Sequence, residues 1–327
     1  MNRTFGIRIK AAALAAALSI AAPYSAAQGA AWPTKPIRVM VSSGPGGGLD
    51  FVARQVATPL SESLGQSVVV DNRAGASGSI AAELAAQAAP DGYTLMVLSA
   101  SLVVYGVVNQ TRYDLFRDFD AVSQIAASPY ILSVHPALPV QSVKDLIAYA
   151  KANPSKLNFA STGPASLAHL AGELFAMSTG TQLVHVPYKG VGAALPDLLS
   201  GRTHMSFLSG GSVYSQVRTQ KLKPLAIAST TRAKMAPELP TMIEAGVPGF
   251  VVTQWHGLMA PRGTPRLIIE RLHAEILKAV QRADVASRLA LDGTEGIASS
   301  PKEFAAHLRG ERELWAKVAK AAKIRAE

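Results

Sequence analysis

Residues 37–50 read Ile37-Arg38-Val39-Met40-Val41-Ser42-Ser43-Gly44-Pro45-Gly46-Gly47-Gly48-Leu49-Asp50. A short apolar run ends in serines and glycines, and Val52, Val56 and Leu60 then recur at helical spacing. That order predicts a strand over 37–43, a tight turn over 43–50 and a helix starting near Asp50, which would serve as its cap. The same unit follows at once. Residues 67–71 carry three consecutive valines, as a buried strand does. A second small-residue loop, 73–79, precedes a helix with Ile80, Leu84 and Ala88, and Pro90-Asp91-Gly92 stops it ahead of a third strand, 93–98.

Outward from there the alternation persists. Ser142-Val143-Lys144-Asp145 resembles a capping box. A strand at 157–160 leads through a turn at 161–166 into a helix with Leu167, Leu170 and Leu174, Pro164 lying near its first turn. Further strands are predicted at 182–186, 204–208 and 224–229, with another Gly-rich turn at 188–194. Thr264-Pro265 opens a helix carrying Ile268, Leu272, Ile276 and Val280, and Ser300-Pro301-Lys302-Glu303 caps a last one with Phe304, Leu308, Trp315, Val318 and Ala322. Strands alternating with helices imply an α/β fold with mainly parallel sheets. At 327 residues the chain suits two domains. It shows no low-complexity linker, so ordered strands must join them, and residues 127–134 and 251–259 are the candidates.

Composition narrows the function. Hydrophobic residues make up 49% and charged residues 17%, which excludes a disordered chain. The absence of cysteine removes disulfide frameworks, thiolate metal sites and cysteine nucleophiles. The net charge of +10 is diffuse: residues 262–327 hold 13 Lys/Arg against 9 Asp/Glu along helices, with no basic run interleaved with aromatics, so nucleic acid is not an expected partner. Arg3, Arg8 and Lys10 precede an apolar run over 11–22 and then Ser25-Ala26-Ala27, the pattern of a secretory signal peptide cleaved after Ala27. The exported chain would begin at Gln28, with 300 residues and a charge of +7.

Glycine lets a ligand approach the backbone, and a helix start offers unpaired N–H groups and a partial positive charge. Four Gly/Ser-rich strand-to-helix turns, at 43–50, 73–79, 161–166 and 188–194, therefore point to a small anion held between two domains. Neutral donors of this kind suit a carboxylate; a phosphate more often recruits Arg or Lys. Common catalytic patterns are missing. Residues 44–49 fail G-x-G-x-x-G at the last position, there is no P-loop, and Gly75-Ala76-Ser77-Gly78 is one residue short of G-x-S-x-G. No two histidines lie three or four apart, so no closed metal site or cofactor is expected. His169, off the apolar stripe, and the strand residues His185 and His204 read as structural, with His204 the one to watch because Ser209-Gly210-Gly211 ends its strand.

These residues carry a family resemblance along the whole exported chain. Its markers are Trp32-Pro33 with Pro36-Ile37, and Gly46-Gly47 with Asp50 and Arg54. Next come Asn72-Arg73 with Gly75-Ala76 and Gly78, Pro90-Asp91-Gly92-Tyr93, His169-Leu170-Ala171-Gly172-Glu173 and His185-Val186-Pro187-Tyr188-Lys189-Gly190. Leu239-Pro240-Thr241, Glu244-Ala245-Gly246, Gly249-Phe250, Trp255, Gly257-Leu258, Ala260-Pro261 and Gly263-Thr264-Pro265 complete the set. In this order the chain resembles the extracytoplasmic solute receptors of tripartite tricarboxylate transporters, the Bug receptors.

The resemblance implies a periplasmic, monomeric two-domain Venus-flytrap protein: residues 28–128 with 254–327 as domain 1, residues 129–253 as domain 2, and a ligand cleft between them. A small carboxylate would be held by backbone amides, hydroxyls and waters. It would then be passed to the transmembrane subunits of the transporter or to a sensor. The candidate ligand-binding residues are Ser42, Ser43, Gly46, Gly47, Gly48, Ser77, Gly78, Ser99, Ser101, Ser161, Thr162, Ser166 and His204. Two of these positions depart from many relatives: Ser43 stands where an aromatic residue is common, and His204 where an acidic residue is common. Serine at 43 would widen the pocket for a ligand bulkier, or more polar at that wall, than a four-carbon diacid. A periplasmic hydrolase on the same scaffold, or a receptor serving signalling alone, remains an open alternative at this point.

Overall fold

The computed structural model describes residues 32–75 and 78–324. The signal-peptide reading and Ser77 therefore lie outside the described residues. Contacts divide the chain into a leading unit that ends at Thr34 and a unit Lys35–Glu327, which carries all that follows.

The predicted strand–turn–helix units form. β1 (Ile37–Val41) leads into α1 (Gly48–Leu64), β2 (Val68–Asn72) into α2 (Ser79–Ala86), and β3 (Thr94–Ser99) into α3 (Ala100–Val108). The sequence reading passed over α3, whose residues 100–108 are nearly all apolar and show no helical stripe. β4 (Phe119–Val134) is 16 residues long and crosses the molecule. Beyond it come α4 (Val143–Ala152), β5 (Asn158–Ser161), α5 (Leu167–Thr179), β6 (Val184–Pro187), α6 (Val191–Leu199), β7 (Met205–Ser209), α7 (Gly210–Arg218) and β8 (Lys223–Ile227). β9 (Thr253–Pro261) returns, followed by α8 (Arg266–Gln281), α9 (Ala283–Leu291), the short β10 (Glu295–Gly296) and α10 (Pro301–Ala321).

Sheet order is β2-β1-β3-β9-β4-β7-β5-β6, with β8 and β10 also on β4. Pairs made within β–α–β units are parallel: β1 with β2 and β3, β5 with β6 and β7. The crossing strands run antiparallel to their neighbours: β9 to β3 and β4, and β4 to β7 and β8. β4 pairs with β9 as far as Pro129 and with β7 from Tyr130 onward, so one strand belongs to both halves of the sheet. The two extended candidates read from the sequence are these crossing strands, β4 being longer than the 127–134 expected.

Capping follows the residues foreseen for it at the chain's solvated helices. The Ser142 side chain accepts the Asp145 N–H, and Ser300 with Glu303 forms a full capping box with Pro301 in the first turn. Pro164 lies ahead of α5, whose N-cap is Ser166. In α10, Phe304, Leu308, Trp315 and Val318 are buried as the spacing predicts, with Ala319 in place of Ala322. The same face buries Glu311, whose Oε2 accepts the indole N–H groups of Trp255 at 3.0 Å and Trp315 at 2.9 Å. That carboxylate ties the last helix to crossing strand β9. No helix among the described residues is long and apolar enough to cross a membrane.

Candidate functional site

Strand direction places the site. β3 and β4 are both antiparallel to β9 and so run the same way, whereas β7 runs against β4. Ser99, the last residue of β3, is level with Ala126 of β4 through their shared partner His256. Ser209, the last residue of β7, is opposite Tyr130. The two strand ends thus point at each other across four residues of β4, roughly 13 Å at about 3.3 Å per residue. β1 and β2 end beside β3, and β6 and β5 end beside β7, because those pairs are parallel. Six strand-to-helix turns therefore face one gap, three from each half.

Five of the six helix starts differ from those at Ser142 and Ser300. Gly47, Gly78, Ser99, Gly190 and Ser209 stand at the N-caps of α1, α2, α3, α6 and α7, and none makes a side-chain cap hydrogen bond. Only α5 has such a bond, from His169 N–H to Ser166 Oγ at 3.2 Å. Uncapped N–H groups at a helix start are the donors an anion requires.

The first turn is held from beneath by Asp50. The sequence reading made it the cap of α1, but the cap is Gly47 and Asp50 lies three residues on. Its buried carboxylate accepts Gly46 N–H at 2.9 Å, Asn72 Nδ2 at 2.9 Å and Arg54 Nε at 3.0 Å. Burial works to raise its pKa, and the bonds from Arg54, Gly46 and Asn72 with the Arg54 charge outweigh it and hold the pKa below the ordinary value. Asn72 also donates to Ser43 O at 3.2 Å, so one aspartate organises both the first and the second turn. Gly46 at φ +81° and Gly78 at φ +96° need glycine; a Cβ on Gly78 would lie 2.7 Å from Ser42 Cβ, so these turns touch.

Of the candidate residues, Ser42 is buried where Gly78 presses on it, and Ser43 is half-buried with Oγ 3.3 Å from Gly44 O. Gly46, Gly47 and Gly48 form the exposed entry to α1, and Ser99 and Ser101 open α3. Ser161, Thr162 and Ser166 share the turn after β5. Ser161 is wholly buried, bonded to His185 Nε2 at 2.6 Å and to Gly163, so its hydroxyl is not presented as a nucleophile. Tyr188 N–H and Gly190 N–H reach back to Ser161 O and Thr162 O, joining the turns after β5 and β6.

His204 is a correction. Expected as a strand residue near the cleft, it stands just ahead of β7, and its Nδ1 accepts Asn158 N–H at the start of β5. Five residues of strand, about 17 Å, separate it from the gap. Burial first, and then His135, lower its pKa, as befits a neutral structural imidazole at the strand end away from the gap. His169 is also corrected: it is buried against β5 and β6 and not off the packed face of its helix. The turn at Ser209–Ser212 was missed, although Gly210-Gly211 after an apolar run was its signal. Segment 292–293 packs on it: a Cβ on Gly211 would meet Asp292 O at 2.3 Å. A cavity of about 420 Å³ lined by Phe116, Phe119, Arg262 and Arg309 lies at the opposite end of β9 from these turns, so cavity size does not mark the site.

Comparison with known proteins accords with this geometry. Residues 52–324 match the family model of the tripartite tricarboxylate transporter family receptor. The chain belongs to that receptor family. It is 38% identical over 306 residues to BugT of Bordetella pertussis, covering 93% of each chain. Among solved structures, Rpa4515 of R. palustris with adipate shares 37% identity at a TM-score of 0.76, covering 90% of this chain and 99% of that one. MatC of Rhodopseudomonas palustris with bound malate shares 30% identity at a TM-score of 0.72, covering 88% and 99%. The chain thus has the two-domain solute-receptor fold of these relatives.

Proposed function

We propose that this receptor closes on a small dicarboxylate between two lobes and delivers it to a membrane transporter. The observation that carries this reading is the pair of facing rows of helix starts, five of them without a side-chain cap. An anion in the gap takes N–H groups from both rows and thereby favours closure. Arg54 and Arg73, beside the first two turns, are engaged by Asp50 and Asp71, so the donors those turns offer a ligand are neutral. Neutral donors suit a carboxylate, and relatives with adipate and malate support that class. The lobes we assign are 28–128 with 254–327, and 129–253, hinged where β4 changes partners and where β9 begins. Export through cleavage after Ala27, a monomeric periplasmic receptor, and a tripartite transporter or a sensor as partner complete the proposal.

The test is a thermal-shift and calorimetric panel of dicarboxylates from four to eight carbons. At ~100 times the dissociation constant, a ligand stabilises by about 2.7 kcal/mol. Unfolding entropy near 2.1 cal/mol/K per residue over roughly 300 residues makes that about 4 °C in Tm. If no member of the panel raises Tm by even about 1 °C, the reading fails.

Ser43 sets the expected size of the ligand. Its half-buried side chain borders the first turn, and among the described residues its one hydrogen bond is the long contact to Gly44 O. Ser43→Phe should fill ligand space, weakening the best dicarboxylate by about 1–3 kcal/mol, or roughly 5- to 150-fold. Melting should hardly move, because the position is not packed core. Unchanged affinity in a folded Ser43→Phe protein would take this residue out of the site.

A further inference from the structure

His169 and His185 donate nothing to the gap, yet both hold the turn after β5. Their imidazole rings stack with centroids 3.6 Å apart and planes 7° from parallel. His185 Nε2 lies 2.6 Å from Ser161 Oγ, and that hydroxyl accepts Gly163 N–H at 3.2 Å. His169 Nδ1 accepts Ala165 N–H at 3.1 Å, while Ser166 Oγ caps His169 N–H. An Nδ1 that accepts carries a lone pair, so His169 is neutral in this arrangement, with its proton on Nε2 toward Glu173 Oε1 at 3.6 Å.

The turn they hold is not one a chain adopts unaided. Gly163 has φ +138° and Ala165, which is not glycine, has φ +52°. A left-handed non-glycine residue persists where its surroundings over-determine it, and such residues gather at ligand clamps. Here the surroundings are the histidine pair below, backed by the Phe159 ring 5.1 Å from His185. Gly172 of α5 leaves room for that ring, since a Cβ there would meet it at 2.2 Å.

We infer that His169 and His185 are positioning residues for anion capture: the neutral stacked pair locks residues 161–166 in the shape that aims their donors into the gap. This rests on the reading of that turn as part of the anion site. Protonating His185 places a positive charge on a ring stacked 3.6 Å from its partner and held against Ser161, and the turn is released. The titratable groups acting on His185 are His169 and Glu173 of α5, and β5 presents Ser161 and the Phe159 ring to it. Burial first, and then His169, hold His185 down to about 4 against the opposing pull of Glu173. The lock is therefore intact at neutral pH and is lost as the pH falls toward that value.

The experiment uses the full exported chain and the dicarboxylate that gives the largest thermal shift. His185→Phe keeps a ring in the stack but cannot bond Ser161, and its affinity should fall about tenfold or more. His185→Gln, whose amide reaches the place of Nε2, should restore affinity to within about threefold. The ratio of wild-type to His185→Gln affinity should be flat from pH 8 to 6 and decline below pH 5. Ligand ionisation cancels in that ratio, and a merely structural role would leave it flat. Should His185→Phe not fold, Ser161→Ala gives the same comparison from the other side of the bond. If Ser43→Phe weakens binding but folded His185→Phe and Ser161→Ala bind as the wild type does, the positioning role is overturned and the site stands. If no dicarboxylate binds the wild type, the site reading falls and takes this inference with it.

Discussion

Asp50→Ala should cost about 3–5 kcal/mol of stability and at least tenfold in dicarboxylate affinity. The carboxylate is buried and serves Gly46 N–H, the Asn72 amide and Arg54 Nε together. Each hydrogen bond to a charged group contributes about 1.5–3 kcal/mol, and Asp50→Ala takes the shared acceptor from all three donors at once. Relaxation of the exposed glycines toward water keeps the total below the sum. Affinity falls because Gly46–Gly48 and Ser43 then lose the anchor that shapes the first anion turn. Asp50→Asn, which keeps one carbonyl oxygen in place, should recover part of both effects. Chemical denaturation and calorimetry of the three proteins decide it. A Tm unchanged within 1 °C in Asp50→Ala would show that the turn keeps its shape without the aspartate.

Acid should destabilise the protein through His256 by about 3 kcal/mol between pH 7.5 and pH 4. This residue of β9 is 5% exposed, sits between Ser99 of β3 and Ala126 of β4, and its Nδ1 has no hydrogen-bond partner among the described residues. Burial pushes its pKa down to about 4 from 6.5. The unfolded chain thus takes up a proton through pH 6.5 while the folded chain resists until about 4. The unfolded state binds more protons in that window, so stability is complete above pH 6.5 and lost as pH falls toward 4. At ~1.36 kcal/mol per pKa unit the loss by pH 4 is about 3 kcal/mol. Several carboxylates also weaken in acid, so the measurement is a difference. The stability change of the wild type from pH 7.5 to pH 4 should exceed that of His256→Leu by about 3 kcal/mol. Parallel pH profiles in the two proteins would mean that His256 does not titrate as its burial requires.

Much of the site was legible because its parts are local. A strand that ends in serine and glycine and runs into a helical stripe is one contiguous stretch, and residues 37–50 form that unit as predicted. Turns at carboxyl ends of parallel strands then follow from chain direction alone. His204 shows where this reasoning went astray: the residue that enters a five-residue strand and the residue that leaves it lie at opposite ends of the strand, only one of which faces the gap. Following β7 to its end would have pointed to Ser209 and Gly210 instead. The roles of His169 and His185 were illegible for another reason. They are 16 positions apart, on a helix and a strand, and no periodicity or motif in the sequence joins one to the other.

The sequence by itself determined the α/β class, the positions of most turns, the capping of α4 and α10 and the family to which the chain is similar, since each depends on residues within a few positions of one another. Only the tertiary structure decided that β4 and β9 run antiparallel to their neighbours and bring two rows of helix starts to face across four residues of one strand. It alone brought Asp50 under the Asn72 turn and stacked two histidines beneath Ala165. Those are pairings between distant segments, set by which apolar faces can be buried together, and no local spacing encodes them.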